Sequence, residues 1–412
     1  MRNLTVSREK ISHAFHYLFG SSLSKLIPFL ILPIFSSRLS LDEYGQLEIF
    51  NVLNSLAYPL LTMSIAVNIS RNYGTLDRDR LDSIVQNIVL ILGINFLILG
   101  ILSLSLNLDF LLDKSIVFAI LVISFLNGII QIKTTLLRQE GKPILFNFYE
   151  IARVGLGLIF SVLIIDHFSV SWKARPYGLL TGLTLVSIIS FWSIYKEFFK
   201  VIKLSFREIK KLYKISFPLI FHGLGVIVIN FSDKLLISEF INLSTVAIYS
   251  SAYTISMAVI IFTEAFLRTW TPWFYLKQNI IKVFQSVLIY IVILFFISMV
   301  IAFGGKFLLF WLVDYKYHSA AILIPYLSFS FFIYGIYLIA QPFVILYGRT
   351  SIIANGTILS AILNIVLNII LLKKLGVFGA VISTTFSFLF NLVFITIYII
   401  RLNIISKTTL LD

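Results

Sequence analysis

Apolar and polar positions alternate along this chain in long blocks. Runs of about 20 apolar residues, enough to cross the ~30 Å hydrocarbon core of a bilayer as a helix, are separated by short polar segments. The blocks predict spans near 11–35, 45–70, 83–106, 114–137, 146–166, 176–196, 214–238, 246–270, 280–302, 318–346, 350–372 and 377–400. The longest polar segment, 196–214, falls at the midpoint. In it Phe198, Ile202, Phe206, Ile209 and Tyr213 recur every three or four residues, which predicts an apolar helical face, while seven cations and two acids occupy the same stretch. That pattern predicts a basic amphipathic helix on a membrane surface, linking two halves. The expected organisation is a six-helix lobe over 1–195, an amphipathic cytoplasmic linker over 196–213 and a second six-helix lobe over 214–412.

Composition agrees. Hydrophobic residues make up 59% of the 412, charged residues 13%, and the mean hydropathy is +0.97. A soluble domain with that balance could not cover its surface with polar groups. The first span, from about Ile11, is longer than a signal-peptide core and is expected to be retained as an anchor. With no cysteine, disulfides and thiolate chemistry are excluded.

Charge sets the expected orientation. With the N-terminus placed inside, 22 of the 33 Lys and Arg fall on inner segments, eight on outer segments, and Lys25, Arg153 and Lys234 lie within spans. The positive-inside bias then puts both termini in the cytoplasm. The net charge of +14 reads as topology and attraction to an anionic leaflet. Scattered loop cations form no continuous face for nucleic acid.

A weak internal repeat accompanies the two halves. Gly141-Lys142 opens the fifth span and Gly348-Arg349 the eleventh, and each span is followed by an aromatic-glycine pair, Tyr177-Gly178 and Phe378-Gly379. The repeats share orientation, as in parallel duplications of transporters. Pro28 and Pro33 in the first span, and Pro218, Gly223 and Gly225 in the seventh, predict interrupted helices at matching positions, a pointer to a central site. Pro325 and Pro342 could bend the tenth.

Ionisable groups within spans are the candidate site, because each costs about 2.5–3.5 kcal/mol at a helix centre and needs a partner or a wet cavity. Lys25 has no acid within a turn. Arg153 has Glu150 three residues earlier. Asp233 and Lys234 are adjacent, about 100° apart on a helix, and cannot pair fully with each other. Lys234 could also snorkel outward. Glu264 and Arg268 have i,i+4 ion-pair spacing. A cavity lined by Lys25, Arg153 and Lys234 would draw an anion such as a diphosphate, with Asn51, Asn54, Asn230 and Tyr253 suited to sugar hydroxyls. Asn364 and Asn368 read as helix–helix glue. Enzyme signatures are missing: there is no phosphate-binding loop, GxSxG or HExxH, and the five histidines make no ligand cluster. No cofactor or metal is expected.

The run Phe19-Gly-Ser-Ser-Leu-Ser-Lys25-Leu-Ile-Pro28 through Pro33, followed by Asp42-Glu43-Tyr44-Gly45, resembles the start of Wzx-type polysaccharide flippases, of the multidrug/oligosaccharidyl-lipid/polysaccharide exporter superfamily. Ser216-Phe-Pro218-Leu, Asp233-Lys234 and Tyr249 are similar to the opening of their second lobe, and Asn364 to Asn368 with Leu375-Gly376-Val-Phe-Gly379-Ala380 to their end. The resemblance implies about 12 transmembrane helices in two six-helix lobes around a central cationic cavity. It implies movement of undecaprenyl-diphosphate-linked oligosaccharide, an O-antigen or capsule unit, from the inner to the outer leaflet of the bacterial inner membrane. Implied partners are that lipid-linked substrate, membrane lipids and other polysaccharide-assembly membrane proteins. Lys25 matches a family position, and Arg153 and Lys234 match less closely. Three alternatives stay open. Gly74-Thr-Leu-Asp77-Arg78-Asp79-Arg80 partly matches a major-facilitator loop motif. A polymerase or ligase of the same pathway has this composition, although the outer loops here are short. A multidrug exporter of the superfamily usually carries cations, which Lys25 and Arg153 would repel.

Overall fold

Ten of the twelve predicted spans are apolar helical segments long enough to cross a membrane in the computed structural model, which describes residues 27–63, 66–74, 76–105, 113–168, 170–276 and 279–401. The molecule is an all-α multi-pass membrane protein. Its described α-helices are α1 (Ile27–Ser36), α2 (Leu41–Thr62), α3 (Ala66–Asn72), α4 (Arg78–Ser105), α5 (Lys114–Gln139), α6 (Pro143–His167), α7 (Ala174–Phe198), α8 (Phe206–Phe240), α9 (Leu243–Ser256), α10 (Ala258–Tyr275), α11 (Ile280–Leu312), α12 (Ile324–Leu346), α13 (Thr350–Leu375) and α14 (Val377–Arg401). Of the first predicted span the described residues show the ten-residue helix α1, and the seventh lies within the 35-residue α8.

The chain divides into two compact units. Unit 1 comprises residues 1–31 and 49–220, and unit 2 comprises 32–48 and 221–412. The division therefore falls inside α1, α2 and α8, whereas the sequence reading drew it through the polar linker. The first turns of α2 belong to unit 2 for clear reasons: the Tyr44 ring meets Tyr317 edge-on at 5.5 Å, and Ser244 Oγ donates to Asp42 Oδ1 at 2.6 Å.

The interruption that Pro218 predicts in the seventh span is absent. α8 runs unbroken past Pro218, Gly223 and Gly225. The breaks lie in the second and eighth spans instead, where α2 stops before Met63, at φ 49°, and α9 gives way to α10 at Met257. Pro325 sits in the first turn of α12, where a missing N–H costs nothing, so it starts that helix and does not bend it. Pro342 does lie inside α12.

The internal repeat has a physical counterpart. Gly141 and Gly348 take φ of 69° and 68°, a left-handed conformation that favours glycine. Each closes its helix with the same pair of bonds. Gly141 N donates to Arg138 O and Lys142 N to Leu137 O; Gly348 N donates to Ile345 O and Arg349 N to Val344 O. This is the Schellman arrangement twice over. The hairpins that follow also match: a Cβ on Gly178 would lie 2.3 Å from the Ser161 backbone of α6, and one on Gly379 would lie 2.4 Å from the Leu371 backbone of α13.

The linker differs most from its prediction. Its first three residues end α7, and its second half is the start of α8. Residues 199–205 form an irregular strap tied to α4 within unit 1. Gln86 Nε2 donates to Phe198 O and Val201 O at 2.6 and 2.8 Å, and Gln86 Oε1 accepts from Lys203 N at 2.6 Å. Ser83 Oγ donates to Lys203 O, and Asn87 Oδ1 accepts from Ser205 N. Side-chain amides thus satisfy the backbone of a segment that makes no helix, which is why the periodic pattern there was misleading.

Candidate functional site

In unit 1 the site is built on α5 and α6. Arg153 lies about 15 Å along α6 from its start at Pro143, at 1.5 Å per residue. Its Nη2 donates to Glu150 Oε2 at 2.6 Å and its Nη1 to Asn127 Oδ1 at 3.3 Å, while Nε has no hydrogen-bond partner among the described residues. The i,i+3 spacing sets the ion pair, since residues three apart share a helix face. The pair is not fully enclosed: the Arg153 and Glu150 side chains are 27% and 14% exposed. They face a cleft of about 380 Å³ that also carries Arg138, Gln131, Thr134, Thr135, Ser70 and Tyr58. The Arg138 guanidinium stacks over the Phe146 ring at 5.0 Å. Among the described lining residues two guanidiniums and one carboxylate carry the charge, with amide and hydroxyl groups around them.

In unit 2 the ionisable groups Asp233 and Lys234 of α8 are closed off. Asp233 is fully buried. Its carboxylate accepts from Tyr249 Oη at 2.7 Å, from Asn368 Nδ2 at 2.6 Å and from Thr384 Oγ1. Asn364 orients Asn368 from one turn away, and Ser232 Oγ donates to Asn364 Oδ1 at 2.7 Å. Three donors offset the desolvation that an isolated carboxylate would suffer there. Asn364 Nδ2 and Asn368 Oδ1, both buried, have no partner among the described residues.

The neighbouring Lys234 points another way, as the 100° step requires. Its Nζ lies 2.5 Å from Glu48 Oε2, between the Phe231 and Tyr253 rings at 5.5 and 5.4 Å. Both partners are nearly buried, at 6% and 10% side-chain exposure. Lys234 therefore neither snorkels outward nor stands as an uncompensated cation. Glu48 escaped the sequence reading, although it is the sole carboxylate in the second span, which is the signal that could have exposed it. Glu264 and Arg268 make a loose 4.0 Å contact on α10. Lys25 lies outside the described residues.

Unit 2 also has a small cleft, about 150 Å³, bordered by Asn230, Tyr334, Tyr337, Gln341, Thr357 and Asn391. Asn230 accepts from Tyr253 Oη at 3.2 Å. No charged group lines it among the described residues. Asn364 and Asn368 do join helices, as read from the sequence, but their more specific task is to hold Asp233.

Comparison with known proteins gives a consistent picture. The family model for polysaccharide biosynthesis protein matches residues 12–278. "Lsg locus putative protein 1" of Haemophilus influenzae is 23% identical over 373 residues, covering 85% of this chain and 88% of that protein. In fold, the chain is similar to an inward-facing multidrug resistance MATE family transporter of the MOP superfamily, with TM-score 0.69, 16% identity and coverage of 94% and 95% of the two chains. It is also similar to a MOP superfamily transporter from Pyrococcus furiosus, described as having a binding pocket of reverse polarity, with TM-score 0.59, 17% identity and 96% coverage of each.

Proposed function

Because this chain belongs to the polysaccharide biosynthesis protein family, we propose that it is a flippase for undecaprenyl-diphosphate-linked oligosaccharide. It carries the head group from the inner to the outer leaflet of a bacterial inner membrane by alternating access, with both termini cytoplasmic. The observation that carries this reading is the polar cleft of unit 1, where Arg153 and Arg138 stand among hydroxyl and amide groups. Guanidinium groups suit phosphate oxygens through paired N–H donors, and Gln131, Thr134 and Thr135 suit sugar hydroxyls. A lining of that sign disfavours the cationic cargo of a multidrug exporter.

Lys25 and Arg153 are the cations assigned to the diphosphate. Lys234 serves with Glu48 as a closed pair, and Asp233 is the carboxylate assigned to coupling. O-antigen or capsule units are the expected cargo, delivered in concert with other polysaccharide-assembly membrane proteins.

The test is export of surface glycan in cells whose own flippase gene is deleted. Arg153→Ala lowers export at least tenfold at equal protein level, equivalent to about 1.4 kcal/mol, and Arg153→Lys retains part of it. Glu150→Gln, which frees the guanidinium, leaves export equal or higher. Normal export by Arg153→Ala removes the cationic cleft from the mechanism.

A further inference from the structure

The strap 199–205 and the first turn of α8 carry a surface that neither the transport reading nor the comparisons assign. Val201, Ile202, Leu204 and Phe206 are 62%, 73%, 51% and 82% exposed. They do not share one helical face, because most of the segment is not helix. Phe198, which the periodicity placed on the same face, is buried in unit 1 at 1%. The strap cannot fold inward to hide these side chains, since Ser83, Gln86 and Asn87 hold its backbone.

Around the apolar group positive charge predominates, with seven cations against Glu197 and Glu208 over 196–214. Lys200, Arg207, Lys210, Lys211 and Lys214 are exposed and have no carboxylate partner among the described residues. Beside it, at the end of α7, Trp192, Tyr195 and Phe199 stack in a ladder, with Tyr195 to Phe199 at 5.8 Å and Lys196 Nζ 5.0 Å from the Trp192 ring. Aromatic rings and cations beside exposed aliphatic groups match the headgroup boundary of a bilayer. A neutral surface would be matched by the apolar group alone. The five cations call for an anionic one.

We infer that this strap is a rigid membrane-interface anchor that binds anionic phospholipid, inserting Val201, Ile202, Leu204 and Phe206 below headgroups whose phosphates meet Lys200, Arg207, Lys210, Lys211 and Lys214. The anchor is preorganised, so no folding accompanies binding, unlike an amphipathic helix that forms on the membrane. It ties unit 1 to a leaflet of suitable charge. This does not depend on the cargo reading or on the orientation of the chain.

The full-length chain has no cysteine, so Ile202→Cys gives a single labelling site that leaves Phe206 in place. The protein, carrying an environment-sensitive fluorophore there, is placed in nanodiscs of phosphatidylcholine alone or of equal parts phosphatidylcholine and phosphatidylglycerol, with bromine on the acyl chains as quencher. Quenching is expected to be several-fold stronger in the anionic discs. The difference is expected to vanish when Lys200→Gln, Arg207→Gln, Lys210→Gln, Lys211→Gln and Lys214→Gln are combined, all at exposed positions. Equal quenching in both lipids, or a difference that survives the five substitutions, overturns the anchor. Neutral discs doped with farnesyl diphosphate form a separate arm: if that lipid diphosphate reproduces the effect at much lower charge density than phosphatidylglycerol, the surface takes the cargo's head group and the phospholipid assignment fails. Gln86→Leu removes three of the bonds to the strap and is expected to raise the mobility of a spin label at position 202; unchanged mobility overturns the claim of rigidity.

Discussion

The Arg153 site of unit 1 and the Asp233–Lys234 site of unit 2 handle intramembrane charge in opposite ways. In unit 1 the Glu150–Arg153 pair borders a cleft, keeps partial exposure and leaves one guanidinium nitrogen unpartnered. In unit 2 the Glu48–Lys234 pair and the Asp233 carboxylate are enclosed by aromatic rings and donors. A wet pair can exchange partners at modest cost. A dry pair is costly to break, because removing one partner leaves the other charged and desolvated. The contrast separates a region suited to meeting an anionic ligand from one suited to holding structure or a single small ion. Two units with matching turns thus differ in their electrostatics at these sites.

The largest effect expected is at the dry pair. Lys234→Met removes the ion-pair partner of the nearly buried Glu48 carboxylate and lowers stability by about 3–5 kcal/mol, read as thermal unfolding of the purified protein in detergent. Glu48→Met combined with Lys234→Met should recover most of that loss. If the double variant is as unstable as the single, packing rather than charge explains the site, and the contrast between units weakens.

A smaller effect is expected at Asp233. Asp233→Asn preserves shape but sets an amide donor against the hydroxyls of Tyr249 and Thr384, for about 1–3 kcal/mol of lost stability. Transport should fall to background even at temperatures where the variant is fully folded. Retained transport would leave Asp233 a purely structural group. The smallest effect probes what the two units share. Gly141→Ala and Gly348→Ala should each cost about 1–2 kcal/mol, because both force a side chain into the left-handed region. The two costs should agree closely, and a large disparity would mean that the matching turns are not equivalent in energy.

Much of this protein was legible in its sequence. Apolar blocks located ten spans nearly to their ends, since a helix crossing hydrocarbon must satisfy its own backbone and show lipid an apolar surface. The i,i+3 and i,i+4 spacings located the Glu150–Arg153 and Glu264–Arg268 contacts, because helical geometry alone brings those residues together. The paired Gly-Lys and Gly-Arg turns were visible for the same local reason. Only the tertiary structure decided the rest. Glu48 and Lys234 are 186 positions apart, and Asp233 meets Asn368 and Thr384 across 135 and 151; no periodicity encodes such distances. The strap misled the pattern because Gln86 and Asn87, more than a hundred residues earlier, supply the hydrogen bonds that a helix would have supplied to itself. Local geometry is written in nearest neighbours, while the partner of a buried charge is settled by which helices pack together.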